Sequence, residues 1–551
     1  MVVAVRSDVG IGENEMPEFF GVLASTVFDG SKFRDRSSRS VMMKVFYSRL
    51  AGLLTAAAVV SVPVAAWAGK KNDTLTYVSD SEPENISPYH NNLREGVIIA
   101  RHVFDNLIYR DPATGKYQAQ LATEWSWVDD TTLDLTIRKG VTFHNGDPLT
   151  ADDVVWTLNY VVSPEAKVVT KQNVDWIKSA EKTGEDRVRI HLVGPFPAAI
   201  EYLAGPVVIY PKAYFEKVGI DGFAKAPVGS GPYRITSAEA GKTVTMEKNT
   251  KYWDGSPLGK PSIGKLIFRV MPDAETRLAE LMTGGVDWIW RVPKDQAQQL
   301  SAVPNITVLS SETMRVGFLQ FDSVGRTPAA EPLKDVRVRQ AIAYAIDRKS
   351  MVDNLVGGGA RLMNSACFID QFGCTDKSVP VYDYNPARAK ALLAEAGYAQ
   401  GFKTELYAYR DREIAEAMIG YLRAVGIQAN LNFMKYAAIR EMNRSGKVAI
   451  NFQTWGSFSV MDVSAFTGVW FKGDADDMSH DAEVQKMTKT ADTTVDTDKR
   501  LKLYADALKM IAEKEYLMPL FSYPANYAFT SDLTFTGQPD ELPRFYMAKW
   551  K

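Results

Sequence analysis

Cysteine and histidine are scarce in this chain, with two and five among 551 residues. Few side chains are therefore left for zinc or iron–sulfur centres, although carboxylates remain available to a harder cation. Neither sign of charge dominates: 64 Lys and Arg against 66 Asp and Glu leave a formal charge of −2. Such a balance gives no general electrostatic reason to expect nucleic acid or anionic lipid as a partner. Signatures of catalysis are missing too. There is no G-x-S-x-G, no H-E-x-x-H, no G-x-x-x-x-G-K-[ST] and no C-x-x-C. Long apolar runs are absent outside one N-terminal segment, which excludes a multi-span membrane protein.

What is present is an ordinary globular composition, 46% hydrophobic and 24% charged. At this length two or three domains are expected. The exceptional segment begins at Met43, where Lys44 and Arg49 form a basic stretch, residues 50–62 an apolar core and Ala66-Trp67-Ala68 a small-x-small cleavage site. This is the pattern of a secretory signal peptide over 43–68. Its apolar run is short for a membrane span of about 20 residues. Cleavage after Ala68 leaves 483 residues with a net charge of −3. No cysteine lies near the cut, which argues against a lipid anchor. Residues 1–42 fit poorly ahead of a signal peptide, so they read as a doubtful leader with the start at Met42 or Met43, or as a long disordered pre-sequence.

After the signal, TLTYVS at 74–79 alternates as a strand and SEPENISPY breaks regular structure. Thr150 and Asp153 form a capping box for the helix carrying Val154, Val155, Leu158 and Val162. The second half alternates strand and helix: strands at 315–321, 403–409, 427–433 and 448–455, helices at 336–356, 386–396 and 413–425. Asn385-Pro386 opens one of these and Gly397 closes it. Such an order favours an open α/β sheet. The run Val228-Gly229-Ser230-Gly231-Pro232-Tyr233 is no phosphate loop, because proline follows at once and no helix opens. Cys367 and Cys374 enclose six residues. In an exported protein a local disulfide is the expected state, and the spacing does not suit a redox-catalytic pair.

Several stretches together resemble bacterial extracellular solute-binding proteins of family 5, the peptide/nickel class of ABC-transporter receptors that includes dipeptide- and oligopeptide-binding proteins. They are TLTYVSDSEPENISPY, VFDNLIYRDPATGKYQAQLATEWSWVDD, LTIRKGVTFHNGDPLTADDVVWTL, PVGSGPYRI, VRVRQAIAYAIDRKSMVDNLVGGG, NPARAKALLAEAGY and LKLYADALKMIAEK. Their order and spacing across residues 74–551 carry the match. The resemblance implies an α/β, two-lobe periplasmic binding protein fold (type II, cluster C-like) with an extra inserted subdomain. Lobe I would comprise 72–310 plus 516–551, with the insertion at about 106–225, and lobe II 311–515. It also implies a monomer without cofactor or metal that captures a solute and delivers it to an inner-membrane permease.

Ligands of open α/β sheets bind beyond the carboxyl ends of strands. In lobe II this marks Tyr409, Arg410 and Arg412 after one strand, and Trp455, Phe458 and Asp462 after another. Arg410 and Arg412 suit an anionic group, since guanidinium pairs bidentately with carboxylate. As surface residues they would be solvated cations at a helix N-terminus, an end that favours acids. Trp455 offers an apolar wall or a stacking face. The family often carries an Asp three residues after this tryptophan, facing a peptide's α-ammonium. Here Phe458 stands there and the nearest acid is Asp462, so either the loop path differs or the ligand has no free α-amino group. By family position Glu82 and Tyr89 line the cleft from lobe I. Phe321 and Asp322 end the first strand after the crossover, and Tyr407 with Tyr409 faces either cleft or lobe.

The resulting expectation is an exported, non-enzymatic receptor for a peptide or peptide-like solute. An opine, a sugar conjugate or a nickel- or haem-type ligand remains open within the same fold. An exported hydrolase is a remote alternative, since no nucleophile–base–acid set can be assembled.

Overall fold

The computed structural model describes residues 69–551, apart from residues 84 and 92. The leader, the signal peptide at 43–68 and its Ala66-Trp67-Ala68 site lie outside the described residues.

Ten strands form one sheet. In chain order they are β1 (Thr74–Ser79), β2 (Tyr233–Glu239), β3 (Thr243–Lys248), β4 (Lys265–Val270), β5 (Trp288–Trp290), β6 (Ile306–Phe321), β7 (Phe402–Ala408), β8 (Ile427–Phe433), β9 (Ile450–Trp455) and β10 (Leu517–Thr530). Across the sheet the order is β8-β7-β9-β6-β10-β5-β1-β4-β3-β2. The long strands β6 and β10 pair antiparallel and pass through its middle, with register shifts between Glu312 and Val316 and between Gly317 and Phe318. Residues 306–312 of β6 pair within the half that holds β5 and β1, whereas its end from Val316 pairs with β9 as well.

Each half has its own buried side chains. β1 shows why alternation alone underestimates burial. All six of its residues are buried, although the sequence suggested one apolar face. Leu75 and Tyr77 join a core with Ile98, Ile99 and Val103 of the helix Arg94–Val103. Val78 faces the opposite side, among Leu278, Leu281, Ala297 and Leu300. Helices on both faces, and parallel partners on both edges, leave no solvent side. In the other half Leu406, Ile414, Met418, Ile427 and Ile450 form the main core.

A separate four-stranded sheet lies within the region expected as an insertion: Ala122–Asp129, Thr132–Ile137, Arg187–Leu192 and Ile177–Lys182, in that spatial order. The helix Ala151–Val162 packs with it through buried Val154 and Leu158, and Thr150 donates its backbone N–H to Asp153 at 2.9 Å. Asn385 caps its helix by accepting from the N–H of Arg388, with Pro386 in the first turn, and Gly397 follows at φ 88°. The helix expected over 336–356 is broken. It runs as Val336–Ala345, turns extended at Ile346, and restarts as Arg348–Met351. Asp347 causes the restart by accepting the N–H of Ser350 at 2.9 Å, a side-chain cap that competes with helix continuation. Cys367 and Cys374 are joined as a disulfide, with Cα atoms 5.9 Å apart.

The Gly-Ser-Gly run is a packing device. A Cβ at Gly229 would lie 2.0 Å from the carbonyl oxygen of Val103, and one at Gly231 would also strike that turn. Between them Ser230 donates to the buried carboxylate of Asp105 at 3.0 Å.

Candidate functional site

β7 and β9 are parallel neighbours, with Leu406 opposite Ile450 and Ala408 opposite Phe452. Their carboxyl ends therefore share one edge. The two ends are tied together by the Tyr409 hydroxyl and Thr454 Oγ1, 2.8 Å apart. Arg410 lies with Cζ 4.5 Å above the Tyr523 ring and donates from Nε to Asp411 at 2.7 Å. The Tyr523 hydroxyl donates to the same carboxylate oxygen at 2.6 Å. Burial works against the Arg410 charge, but Tyr523, Asp411 and Tyr409 outweigh it and raise its pKa. Arg412 goes elsewhere. It is exposed, stacks 4.3 Å over Phe433 at the sheet edge and reaches Glu416 at 3.4 Å. The two arginines are thus held on different rings rather than on one common group.

After β9, Trp455 donates from Nε1 to the carbonyl of Ala465 at 3.0 Å and meets Phe458 edge-on at 4.6 Å. Ser457, Phe458 and Ser459 have φ of 46°, 52° and 64°. Three successive non-glycine residues in the left-handed region cost about 1–3 kcal/mol each, so the surrounding contacts must hold them. Phe458 and Val460 pack against the core of the other half. Asp462 is engaged: Arg500 grips both its oxygens at 2.8 and 2.9 Å, and it accepts the N–H of Ser464 at 3.0 Å.

The remaining expected residues are dispersed. Glu82 is exposed on the loop after β1, beside Gly241. Tyr89 is buried, donating its hydroxyl to the carbonyl of Val208 at 2.6 Å and accepting the N–H of Val208 at 3.0 Å. Phe321 is a core residue. Asp322 is buried, accepting from the N–H of Arg326 at 2.7 Å and from its Nε at 3.2 Å. Tyr407 is buried and donates to Glu405 at 2.6 Å. Of the expected residues, Phe458 packs across the seam between the halves, with Tyr409 and Trp455 beside it at the β7 and β9 carboxyl ends.

Several seam residues carried no local sequence signal. Glu541 receives a two-pronged bond from Arg315, at 2.8 and 2.7 Å, and a third from Arg94 at 2.9 Å. Burial would raise this carboxyl, but the guanidinium charges win and hold it down at about 2. Arg94 also donates to Ser459, whose hydroxyl donates to the carbonyl of Asp540 at 2.8 Å. Glu201 accepts the N–H of Met461 and the hydroxyl of Tyr117, each at 2.8 Å, and burial pushes its pKa up. Gly456 sits where a Cβ would come within 3.1–3.3 Å of Arg94, Arg315 and Glu541. Sequence separations of 226 and 447 residues hide the Glu541 pairings from any local reading.

A cavity of about 30 Å³ remains at the seam, lined by Arg101, Tyr109, Glu201, Ser459, Asp540 and Arg544. That is room for only about two waters, so the two halves are closely apposed here. His102 plays a structural part. It lies buried between the carbonyl of Ile98 and the N–H of Phe545, with burial lowering its pKa to about 4. Among the described residues, no group of three or more His, Cys, Asp or Glu side chains is placed to hold a metal ion.

Comparison with known proteins gives this geometry its class. Residues 116–477 match the bacterial extracellular solute-binding proteins, family 5 Middle. The chain belongs to this family. Oligopeptide-binding protein AppA of Bacillus subtilis (strain 168) is 25% identical over 433 residues, covering 72% of this chain and 76% of AppA. The ABC transporter substrate-binding protein CtaP of Listeria monocytogenes superposes with a TM-score of 0.78 at 23% identity, covering 87% of this chain and 99% of CtaP. AgaA of A. tumefacien R10, solved with agropinic acid, gives 0.72 at 25% identity, covering 87% and 99%. The fold is that of periplasmic binding proteins, a mixed α/β architecture around one large sheet. This family 5 member is a solute-binding component of ABC-type transport, and its family consists of solute-binding transport proteins. No helix among the described residues is long and apolar enough to cross a membrane.

Proposed function

We propose that this chain is the periplasmic receptor of an ABC importer for a peptide or peptide-like solute. It is exported by the 43–68 signal, carries no lipid anchor, works as a monomer without cofactor and has no enzymatic activity. Lobe I is 72–310 plus 516–551 and lobe II is 311–515, joined through β6 and β10. The observation that carries this reading is the contact of the turn after β9 with the other half, Ser459 with Arg94 and Met461 with Glu201, beside the Arg315–Glu541 fork. A solute held there touches both lobes only when they are closed, so binding shifts an open–closed equilibrium towards the form that docks on the permease. Arg410, Trp455 and Phe458 are the lobe II contacts.

The state of Asp462 favours a second reading within this class. With both oxygens held by Arg500, the loop after β9 offers no free acid to an α-ammonium group. An opine-like or sugar-conjugated solute without a free α-amino group fits that loop better than a free peptide. Titration calorimetry with dipeptides, oligopeptides, their N-acetylated forms and opines tests both readings. Heat from free peptides supports the first, and heat confined to blocked or opine ligands supports the second. Silence from all of them refutes the substrate class, and a changed ligand recovered after incubation refutes the absence of enzymatic activity.

A further inference from the structure

Away from the seam, a recess of about 410 Å³ opens between residues 138–141 and the loop 250–260. Small-molecule sites have volumes of about 300–1,000 Å³. Four cationic side chains line this one, Arg138, Lys139, Lys251 and Lys260, against one acid, Asp254. Its wall is rigidly built. Arg138 donates from Nε to the carbonyl of Gln120 at 2.7 Å and lies 4.6 Å over the ring of Trp253. Trp253 in turn donates from Nε1 to the buried Asp105 at 3.2 Å, and Tyr252 donates its hydroxyl to the same carboxylate at 2.7 Å.

The partners of these cations differ. Lys260 meets Asp254 at 2.6 Å, and Lys139 meets Asp186 at 3.4 Å and Glu185 at 3.5 Å. These are solvent-exposed pairs that contribute little. Among the described residues, the terminal nitrogens of Arg138 have no hydrogen-bond partner and the Lys251 ammonium has no ion-pair partner. A guanidinium fixed at Nε and on its face, with both terminal nitrogens free, is pre-organised for a two-pronged bond to an oxyanion. The surrounding lysines raise the local anion concentration.

We propose that this recess is a second binding site, separate from the cleft, for a phosphate-type oxyanion. Arg138 supplies the fork and Lys251 a further donor. The oxyanion belongs either to a soluble phosphate compound or to a phospholipid headgroup. Titration of the full-length mature protein with inorganic phosphate and pyrophosphate in low-salt buffer addresses the soluble source. Co-sedimentation with phosphatidylglycerol vesicles, against phosphatidylcholine vesicles, addresses the headgroup. Binding in either arm that weakens as salt rises is expected. Arg138→Gln and Lys251→Gln should each weaken it by about tenfold or more, the scale of one charge-assisted hydrogen bond. Lys251 is exposed, so its variant reads out binding even if Arg138→Gln unfolds. No binding in either arm, or binding that both variants leave unchanged, overturns the proposal. Binding of cleft solutes should be equal in parent and Lys251→Gln, which separates this site from the cleft.

Discussion

Glu541 is one carboxylate serving two guanidinium groups. Its pKa, about 2 in the folded chain, lies below the ordinary value near 4.3. Its contribution to stability is therefore complete above about pH 4.3 and is lost as pH falls towards 2. Glu541→Gln should lose about 3 kcal/mol at pH 7, as expected when one partner of a buried ion pair is removed. In urea unfolding the gap from the parent should narrow between pH 4 and pH 2. Glu515 has the opposite sign. Burial raises its carboxyl to about 8 although Arg348 and Arg339 pull it down, and its Oε1 has no hydrogen-bond partner among the described residues. The stability present below about pH 4.3 is then lost as pH rises through 8. Thermal melts of Glu515→Gln should stay flatter than the parent's from pH 5 to pH 9, with the variant gaining relative to the parent towards the alkaline end.

Among the elements, the turn after β9 concentrates the strain. Ser457, Phe458 and Ser459 stay left-handed because Arg94, Asp540 and the core of the other half hold them. Gly456 lets that turn approach. Gly456→Ala should cost about 1–3 kcal/mol, the usual range for an overpacked site, and weaken solute binding in calorimetry because the Arg94, Arg315 and Glu541 side-chain ends must shift to admit the methyl group. Capping was legible beforehand: Asn385 and Gly397 bound their helix as their residue types dictate. Asn385→Ala should cost about 1 kcal/mol in urea unfolding and leave solute binding unchanged. The break at Asp347 was not legible, because apolar spacing runs on across it while one side chain captures the N–H of Ser350.

For the whole molecule, β6 and β10 carry the sheet from one half to the other, and the Arg315–Glu541 fork closes the seam beside them. Arg315→Ala should shift the solute-free protein towards the open form. Small-angle scattering checks this: the variant's radius of gyration should exceed the parent's without solute and coincide with it at saturating solute. Equal radii without solute would show that the fork does not bias closure.

Residue types and spacing sufficed for the α/β class and the strand and helix order of the second half, and the resemblance of several short stretches for the family. All of these rest on local periodicity, on capping chemistry or on motifs within short windows. Which candidates share a surface was decided only by tertiary structure. Asp462 looked free until Arg500, 38 residues on, closed it, and Arg410 and Arg412, two residues apart, ended on different rings. The Arg94–Glu541–Arg315 group joins three distant segments, and only folding brings such charges together, because a carboxylate and its partners interact through space rather than along the chain.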